Sequence, residues 1–171
     1  MRTPFRYAVT AVALAACTGA ALLARQSAPR SAPVAPAAST KSTAPGQGPM
    51  PPLNMTGYAL ARPAGITRTV YEFVARHPEV SRYVPCFCGC EHDGHRSNES
   101  CFVAARDTSG NVTQWDTHGF GCAVCVDVAR ETMQLYNSGA DVQSIRSAIE
   151  KKWAPQYPSK TPTPMPPAKK K

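Results

Sequence analysis

Hydrophobic side chains recur every three to four positions in three stretches of the chain, and this spacing predicts amphipathic helices. The stretches cover about residues 65–76, 122–138 and 142–153. Gly139 ends the second helix, and the carboxylate of Asp141 caps the third. The pattern therefore predicts a mainly α, small helical domain.

Shorter elements fill the region between the first two helices. Pro78 interrupts the first helix and begins a short helical segment, residues 78–83, which ends before Pro85. Residues 101–105 and 112–115 flank a glycine-containing turn and predict a β-hairpin. Because a two-stranded ribbon alone is marginally stable, we expect it to pack on the helices.

The loop between the short helix and the hairpin carries three cysteines at alternate positions. Residues 85–90 read Pro-Cys-Phe-Cys-Gly-Cys. Alternate side chains of an extended segment point to the same side, about 6 to 7 Å apart, so the loop must curl before two sulfurs can bind one ion. Gly89 permits the positive φ that such a curl needs.

More soft ligands lie near this loop in the sequence. Cys101 begins the hairpin, and Cys122 and Cys125 fall in the first turn of the second long helix, where the helix dipole favours thiolates. His92 and His95 lie in a polar turn just after the loop. The candidate metal ligands are Cys86, Cys88, Cys90, Cys101, Cys122, Cys125, His92, His95 and His118.

Prolines cluster on both sides of a segment of about 100 residues, which is long enough for one modest core. We therefore predict a cysteine-rich domain at residues 53–157. A tether of Pro, Ala and Ser at residues 25–52 precedes it, and a disordered tail of Pro and Lys at residues 158–171 follows it.

Residues 1–24 have the pattern of an export signal. Arg2 and Arg6 precede an apolar run that ends in Leu-Ala-Ala-Cys, which resembles a bacterial lipobox with Cys17 as the lipidated residue. An uncleaved anchor over residues 8–24 and secretion in soluble form are the alternatives. All three hypotheses place the domain outside the cytoplasm. Lipidation and an uncleaved anchor would also attach it to the extracytoplasmic face of the membrane.

The basic charge lies outside the predicted domain. The chain has a formal net charge of +8, but residues 53–157 contain ten Lys and Arg against eleven Asp and Glu. The other nine basic residues lie in the flanks, where they suit an anionic membrane surface. The charge therefore predicts no nucleic-acid partner.

Residues 85–90 resemble the signature of the bacterial PCYCGC-motif proteins, with Phe87 in the place of its tyrosine. The lipobox-like segment, the tether, a Trp-Asp-x-His-Gly segment and the Cys-x-x-Cys pair also suit that family, so the likeness covers roughly residues 55–155. The family is named for its motif, and the resemblance implies no activity. The change from tyrosine to phenylalanine removes a hydroxyl but no thiol.

The cysteines favour a soft-metal site. Closely spaced thiolates favour bridging between ions and suit Cu(I), which accepts low coordination numbers. Zinc is the rival cofactor, because Cys-x-x-Cys plus two further ligands is a common structural-zinc spacing. The alternating run favours copper, held for storage or for transfer to and from a metal donor or acceptor protein.

Two other functions stay open. Six cysteines are an even number, and three disulfides would staple a small exported domain with a structural or interaction role, although a bridge within Cys-x-Cys would be strained. A thiol oxidoreductase using Cys122 and Cys125 is the second alternative, although no βαβ pattern surrounds the pair. No hydrolase or kinase signature is found, so a binding protein is expected over an enzyme.

A single metal site requires the cysteine loop to pack over the start of the second long helix. We therefore expect Cys122 and Cys125 within reach of residues 86–90, with Cys101 nearby. A separation above about 10 Å would exclude one site, because metal–sulfur bonds are about 2.3 Å long.

Overall fold

The computed structural model describes residues 48–168 of the chain. This part contains five α-helices and one antiparallel hairpin, namely α1 Ala64–Arg76, α2 Pro78–Ser81, β1 Val103–Arg106, β2 Val112–Trp115, α3 His118–Gly121, α4 Ala123–Asn137 and α5 Val142–Trp153. The predicted fold class, mainly α with a cysteine-rich loop and a short hairpin, is confirmed. None of the helices within residues 48–168 has the length and apolar composition of a membrane span. The export or anchor segment 1–24 and nearly all of the tether 25–52 lie outside the described residues.

Helices α1 and α4 pack together because each carries the apolar stripe that the sequence predicts. Val70 and Val74 of α1 and Ala129 of α4 are fully buried in one core cluster. After α1 ends, the ring of His77 lies with its centroid 4.5 Å from that of Tyr136 on α4. Burial of each valine contributes about 1.5 to 3 kcal/mol, so this contact fixes α4 against the domain.

Helix α5 closes a second apolar cluster, which also includes side chains from α4 and from the cysteine loop. Ile149 of α5, Val128 of α4 and Phe87 of the loop are buried in it. The helix begins at the predicted cap, where Asp141 Oδ1 accepts a hydrogen bond from the backbone N–H of Ser144 at 3.1 Å. The sequence therefore predicts both the start of α5 and its buried face correctly.

The hairpin is tied to α1 through one arginine. Arg106, which lies opposite Val112 in the strand register, donates from Nε to Glu99 Oε1 at 2.8 Å. Its Nη1 donates to the carbonyl of Ala75 near the end of α1 at 2.9 Å. The expected packing of the hairpin on the helices is therefore confirmed.

The second long helix, predicted at about residues 122–138, is observed as α4 Ala123–Asn137, and a short helix that the sequence does not predict precedes it. The short helix α3 (His118–Gly121) comes first, and Cys122 is then extended before α4 begins. Gly119 permits this arrangement, since a Cβ there would lie 2.6 Å from the ring of Phe102. Cys122 thus becomes the N-cap of α4, and its Sγ accepts the backbone N–H of Cys125 at 3.5 Å.

The structure differs from the prediction of a disordered tail at residues 158–171. Residues 158–168 lie along the domain, and Thr161 in this segment is buried. Arg146 of α5 donates from Nη1 to the carbonyl of Thr163 at 3.3 Å. The local composition gives no sign of this packing because the hydrogen bonds join residues far apart in sequence. Residues 169–171 lie outside the described part.

Candidate metal centre

The cysteine loop, residues 85–90, bends at Gly89, whose φ is +86° as expected. Cys86 and Cys90 are 0% and 1% exposed, and Cys88 is half-buried. Phe87 is also buried, but in the cluster beneath α5 and not in the core cluster that contains the buried cysteines. The loop therefore turns its sulfurs to one side and its aromatic ring to the other, so the signature aromatic position is used for packing.

Two buried polar side chains hold the backbone around the cysteines. Thr161 Oγ1 accepts the backbone N–H of Cys86 at 2.9 Å, and its own N–H donates to the Cys86 carbonyl at 3.0 Å. Asn98 donates from Nδ2 to the carbonyl of Cys125 at 3.1 Å, and its N–H donates to the carbonyl of Val84 at 2.8 Å. These bonds fix the loop relative to the first turn of α4.

The sulfur atoms of the loop and of α4 lie close together. Cys125 Sγ is 3.3 Å from Cys86 Sγ and 3.5 Å from Cys88 Sγ, and the latter two sulfurs are 3.6 Å apart. Cys90 Sγ lies 3.6 Å from Cys101 Sγ. The predicted proximity of the loop to the helix start is confirmed. Cys101 stands in a 3-10 turn just before β1 and not on the strand itself.

These distances are those of ligands and not of disulfide bonds. A disulfide joins two sulfurs at about 2.05 Å, and all six cysteines within residues 48–168 are free thiols. An ion with tetrahedral bonds of about 2.3 Å holds its sulfur ligands about 3.8 Å apart. The Sγ–Sγ distances of 3.3 to 3.6 Å are close to that value, so the disulfide alternative has no support in the geometry.

Two histidines lie beside the cluster, and each has one ring nitrogen close to a carboxylate and the other directed towards the cysteines. His118 Nε2 lies 3.5 Å from Cys88 Sγ, and its Nδ1 lies 3.8 Å from Asp93 Oδ2. His95 Nε2 lies 3.4 Å from Asp116 Oδ2, while its buried Nδ1 has no hydrogen-bond partner among the described residues. Histidines that bind metals are typically oriented by a carboxylate in this way. The unpaired Nδ1 of His95 therefore fits a metal ligand.

Eight of the nine predicted ligands fall into three overlapping groups, in each of which the ligand atoms lie within 4.8 Å of one another. The groups are Cys86, Cys90, Cys101 and Cys125; Cys88, His118, Cys122 and Cys125; and Cys90, His95, Cys101 and His118. The ninth predicted ligand, His92, is exposed on the turn after the loop and belongs to none of these groups.

Two thiols of the cluster lose their protons readily. Hydrogen bonding with Cys101, followed by that with Cys122 and Cys125, holds the pKa of Cys88 far below the usual range. Hydrogen bonding with Cys101 and Cys125 lowers the pKa of Cys86 to about 4. The lowered pKa of both residues favours the thiolate, the form in which cysteine binds metals.

The cysteines around the start of α4 behave in the opposite way. Hydrogen bonding with Cys101 and with the other thiols raises the pKa of Cys125. At Cys122, hydrogen bonding with Cys125 lowers the pKa, but the neighbouring Cys88 and burial outweigh it and raise the pKa to about 11. At this pair the neighbouring thiols and burial therefore favour the protonated form, against the effect expected of the helix dipole.

The fold and the site together define a small helical protein with a buried cysteine and histidine cluster that can bind a metal. The chain belongs to the family of proteins of unknown function with a PCYCGC motif, whose model matches residues 54–166. The resemblance drawn from the hexapeptide is therefore confirmed. No match was found among curated proteins or among solved structures.

Sequence reasoning did not identify the residues that support the ligands. Asp93, Asn98, Asp116 and Thr161 were not predicted as parts of the site. Asp116 carries a local signal, since it lies two residues before His118 and its Oδ1 accepts the backbone N–H of that residue at 2.8 Å. Thr161 has no such signal, because its partner Cys86 lies 75 residues away.

Proposed function

We propose that this protein binds a soft metal ion, Cu(I), through its cysteine thiolates and stores it or passes it on. The observation that carries the proposal is the convergence of six thiols in one cluster without a pair at disulfide distance, although Cys86 and Cys125 are 39 residues apart in sequence. Buried thiolates repel one another. A bound cation removes that repulsion and is thus the natural occupant of the cluster.

The donor set favours Cu(I) over zinc as cargo. One group consists of sulfur ligands alone, and Cu(I) prefers soft sulfur at low coordination number. The sulfurs of Cys86, Cys88 and Cys125 lie 3.3 to 3.6 Å from one another, a spacing that suits soft ions with few ligands each. Zinc requires four ligands, which the groups also contain, so zinc is the competing cargo.

A thiol oxidoreductase is less well supported. Such an enzyme needs an accessible cysteine whose pKa is lowered. In the Cys122-x-x-Cys125 pair the pKa of each thiol is raised, and Cys125 is buried. The pair therefore acts as ligands in our proposal and not as a redox couple.

We further propose that the protein works in the cell envelope, on the extracytoplasmic face of the membrane. The support is the sequence of residues 1–24, in which the lipobox-like segment ends at Cys17 and an uncleaved anchor is the alternative. A metal donor or acceptor protein in the same compartment would be the partner.

Membrane attachment is tested by Cys17→Ser in the native host. We expect the variant to lose incorporation of labelled fatty acid and to leave the membrane fraction, whereas Cys88→Ser, the matched thiol control, keeps both. Membrane association that persists without lipid label would support the uncleaved anchor instead.

Metal binding is tested on the full chain purified without oxygen. Bound copper and zinc are measured directly, and Cu(I) and Zn(II) are then titrated against chromogenic chelators of known affinity. We expect all six cluster thiols to react with a thiol reagent once the metal-free protein is unfolded, and the half-buried Cys88 and Cys122 to be protected by Cu(I) in the folded protein. A protein that binds neither ion contradicts the proposal. A protein that retains zinc in the presence of excess Cu(I) would identify zinc as the cargo.

A further inference from the structure

Two of the four-ligand groups in the cluster share one sulfur atom. The inner group consists of buried thiols alone, namely Cys86, Cys90, Cys101 and Cys125. The outer group contains three half-buried side chains and the same buried thiol, namely Cys88, His118, Cys122 and Cys125. A thiolate sulfur can bind two soft ions at once, and Cys125 Sγ lies between Cys86 of the inner group and Cys88 of the outer group.

The outer group opens to the surface, and the inner group does not. A cavity of about 510 Å³ is lined by Cys88, His118 and Cys122 of the outer group, together with Tyr58 and Phe120. The four thiols of the inner group are at most 1% exposed, and of these none lines that cavity. An ion that arrives through the cavity therefore meets the outer group first.

We propose that the site holds two soft metal ions at linked positions, an outer position that exchanges its ion through the cavity and an inner position that retains it. The proposal rests on the proposed function and deepens it. Cys125 binds both ions and joins the two positions.

The third group does not add an independent position. It combines Cys90 and Cys101 of the inner group with His118 of the outer group, and His95 alone is new to it. An ion bound there would remove two thiolates from the inner ion and one imidazole from the outer ion. The number of ions held at one time is therefore two.

Passage from the outer to the inner position is an exchange of ligands. The bonds from the ion to Cys88, His118 and Cys122 break, bonds to the inner thiolates form, and the bond to Cys125 persists. The ion stays Cu(I) throughout, and each thiol that becomes a ligand releases its proton to solvent. The step requires no oxidant or reductant.

The test uses the full chain, with Cu(I) added without oxygen and then withdrawn by a chromogenic Cu(I) chelator. We expect the native chain to bind two ions and to release them in two phases of equal amplitude. His118→Ala and Cys122→Ser should each bind one ion and lose the fast phase, while Cys90→Ser should bind one ion and lose the slow phase. His92→Ala, a histidine outside the groups, is the matched control and should behave like the native chain.

Several results would overturn the two-position arrangement. One is a native chain that binds a single ion, and another is release in one phase. The arrangement would also be overturned if His118→Ala and Cys122→Ser each bound no ion, or if each still bound two ions. If Cys90→Ser does not fold, the two outer variants still decide the question. A native chain that binds neither Cu(I) nor Zn(II) would instead reject the proposed function itself.

Discussion

At the scale of single residues, Asp116 holds two parts of the site in place. Its Oδ2 faces His95 Nε2 at 3.4 Å, and its Oδ1 accepts the backbone N–H of His118 at 2.8 Å. A carboxylate beside Nε2 keeps the proton on that nitrogen and leaves Nδ1 free as a ligand. Asp116 is therefore a positioning residue for the two candidate imidazole ligands.

Asp116→Asn tests this role. An amide nitrogen facing His95 Nε2 favours the tautomer with a proton on Nδ1, and a protonated Nδ1 cannot bind a metal. We expect Cu(I) affinity to fall about 10- to 100-fold, as for other residues that orient metal ligands. Affinity is measured by competition with a chelator. Asp107→Asn, in the exposed turn of the hairpin, is the matched control and should leave affinity unchanged; equal affinity in both variants would remove Asp116 from the site.

Cys88 and Cys122 differ in reactivity although both are half-buried. The pKa of Cys88 is lowered and that of Cys122 is raised to about 11, and only the thiolate reacts with iodoacetamide. In the metal-free chain at neutral pH, we expect alkylation at Cys88 before Cys122. As pH rises through neutrality, the rate at Cys122 should increase about tenfold per pH unit, and the rate at Cys88 should rise less steeply. Peptide mass spectrometry measures both rates, and matching pH profiles would contradict the assignment.

At the scale of elements, the C-terminal segment 158–168 acts as a strap over the cysteine loop. Thr161 exchanges two hydrogen bonds with Cys86, and Thr163 Oγ1 donates to the carbonyl of Arg96 at 2.8 Å. Arg146 of α5 is mostly buried and donates to carbonyls of the strap. The strap therefore joins α5 to the loop that carries three of the ligands.

Thr161→Val removes the hydroxyl and leaves the buried backbone N–H of Cys86 without an acceptor. An unsatisfied buried donor costs about 1 to 3 kcal/mol, so the free energy of unfolding should fall by that amount in denaturant titrations of the metal-free chain. Thr113→Val, at an exposed position of β2 where valine suits the strand, is the control. If the two variants are equally stable, the strap contributes nothing to the fold.

Features of the fold and the site that depend on contacts between neighbouring residues could be predicted from the sequence, and features that depend on distant contacts could not. Helices α1, α4 and α5 follow from periodic apolar positions, and Asp141 marks the start of α5 by local capping. The short helix α3 before α4 could not be predicted, because the close approach of its Gly119 to Phe102 is a contact between residues distant in sequence. The strap was missed for the same reason, since Thr161 bonds to a residue 75 positions away. The ligands could be chosen from residue type alone, whereas their carboxylate partners required the fold.

At the scale of the whole molecule, the site joins segments that are far apart in the sequence, from Cys86 to Cys125. Its candidate ligands come from the cysteine loop, from the turns between that loop and β1, from α3 and from the start of α4. Unfolding separates them and destroys the site. Metal binding and folding must therefore be coupled, because an ion that binds only the folded chain stabilises it.

We therefore expect Cu(I) to raise the melting temperature of the full chain. At a free ion concentration of about 100 times Kd, the gain is about 2.7 kcal/mol, and for a domain of this size it corresponds to a shift on the order of 10 °C. Circular dichroism without oxygen measures the shift. Lower pH should reduce it, because protons then compete for the thiolates.

Mg²⁺ at the same concentration is the control, since a hard cation prefers oxygen ligands and binds thiolates weakly. It should leave the melting temperature unchanged. An equal shift with Mg²⁺ would indicate a general charge effect, and no shift with Cu(I) would show that the cluster is not coupled to folding. A shift that disappears in Cys125→Ser but persists in His92→Ala would assign the stabilisation to the shared sulfur at the centre of the site.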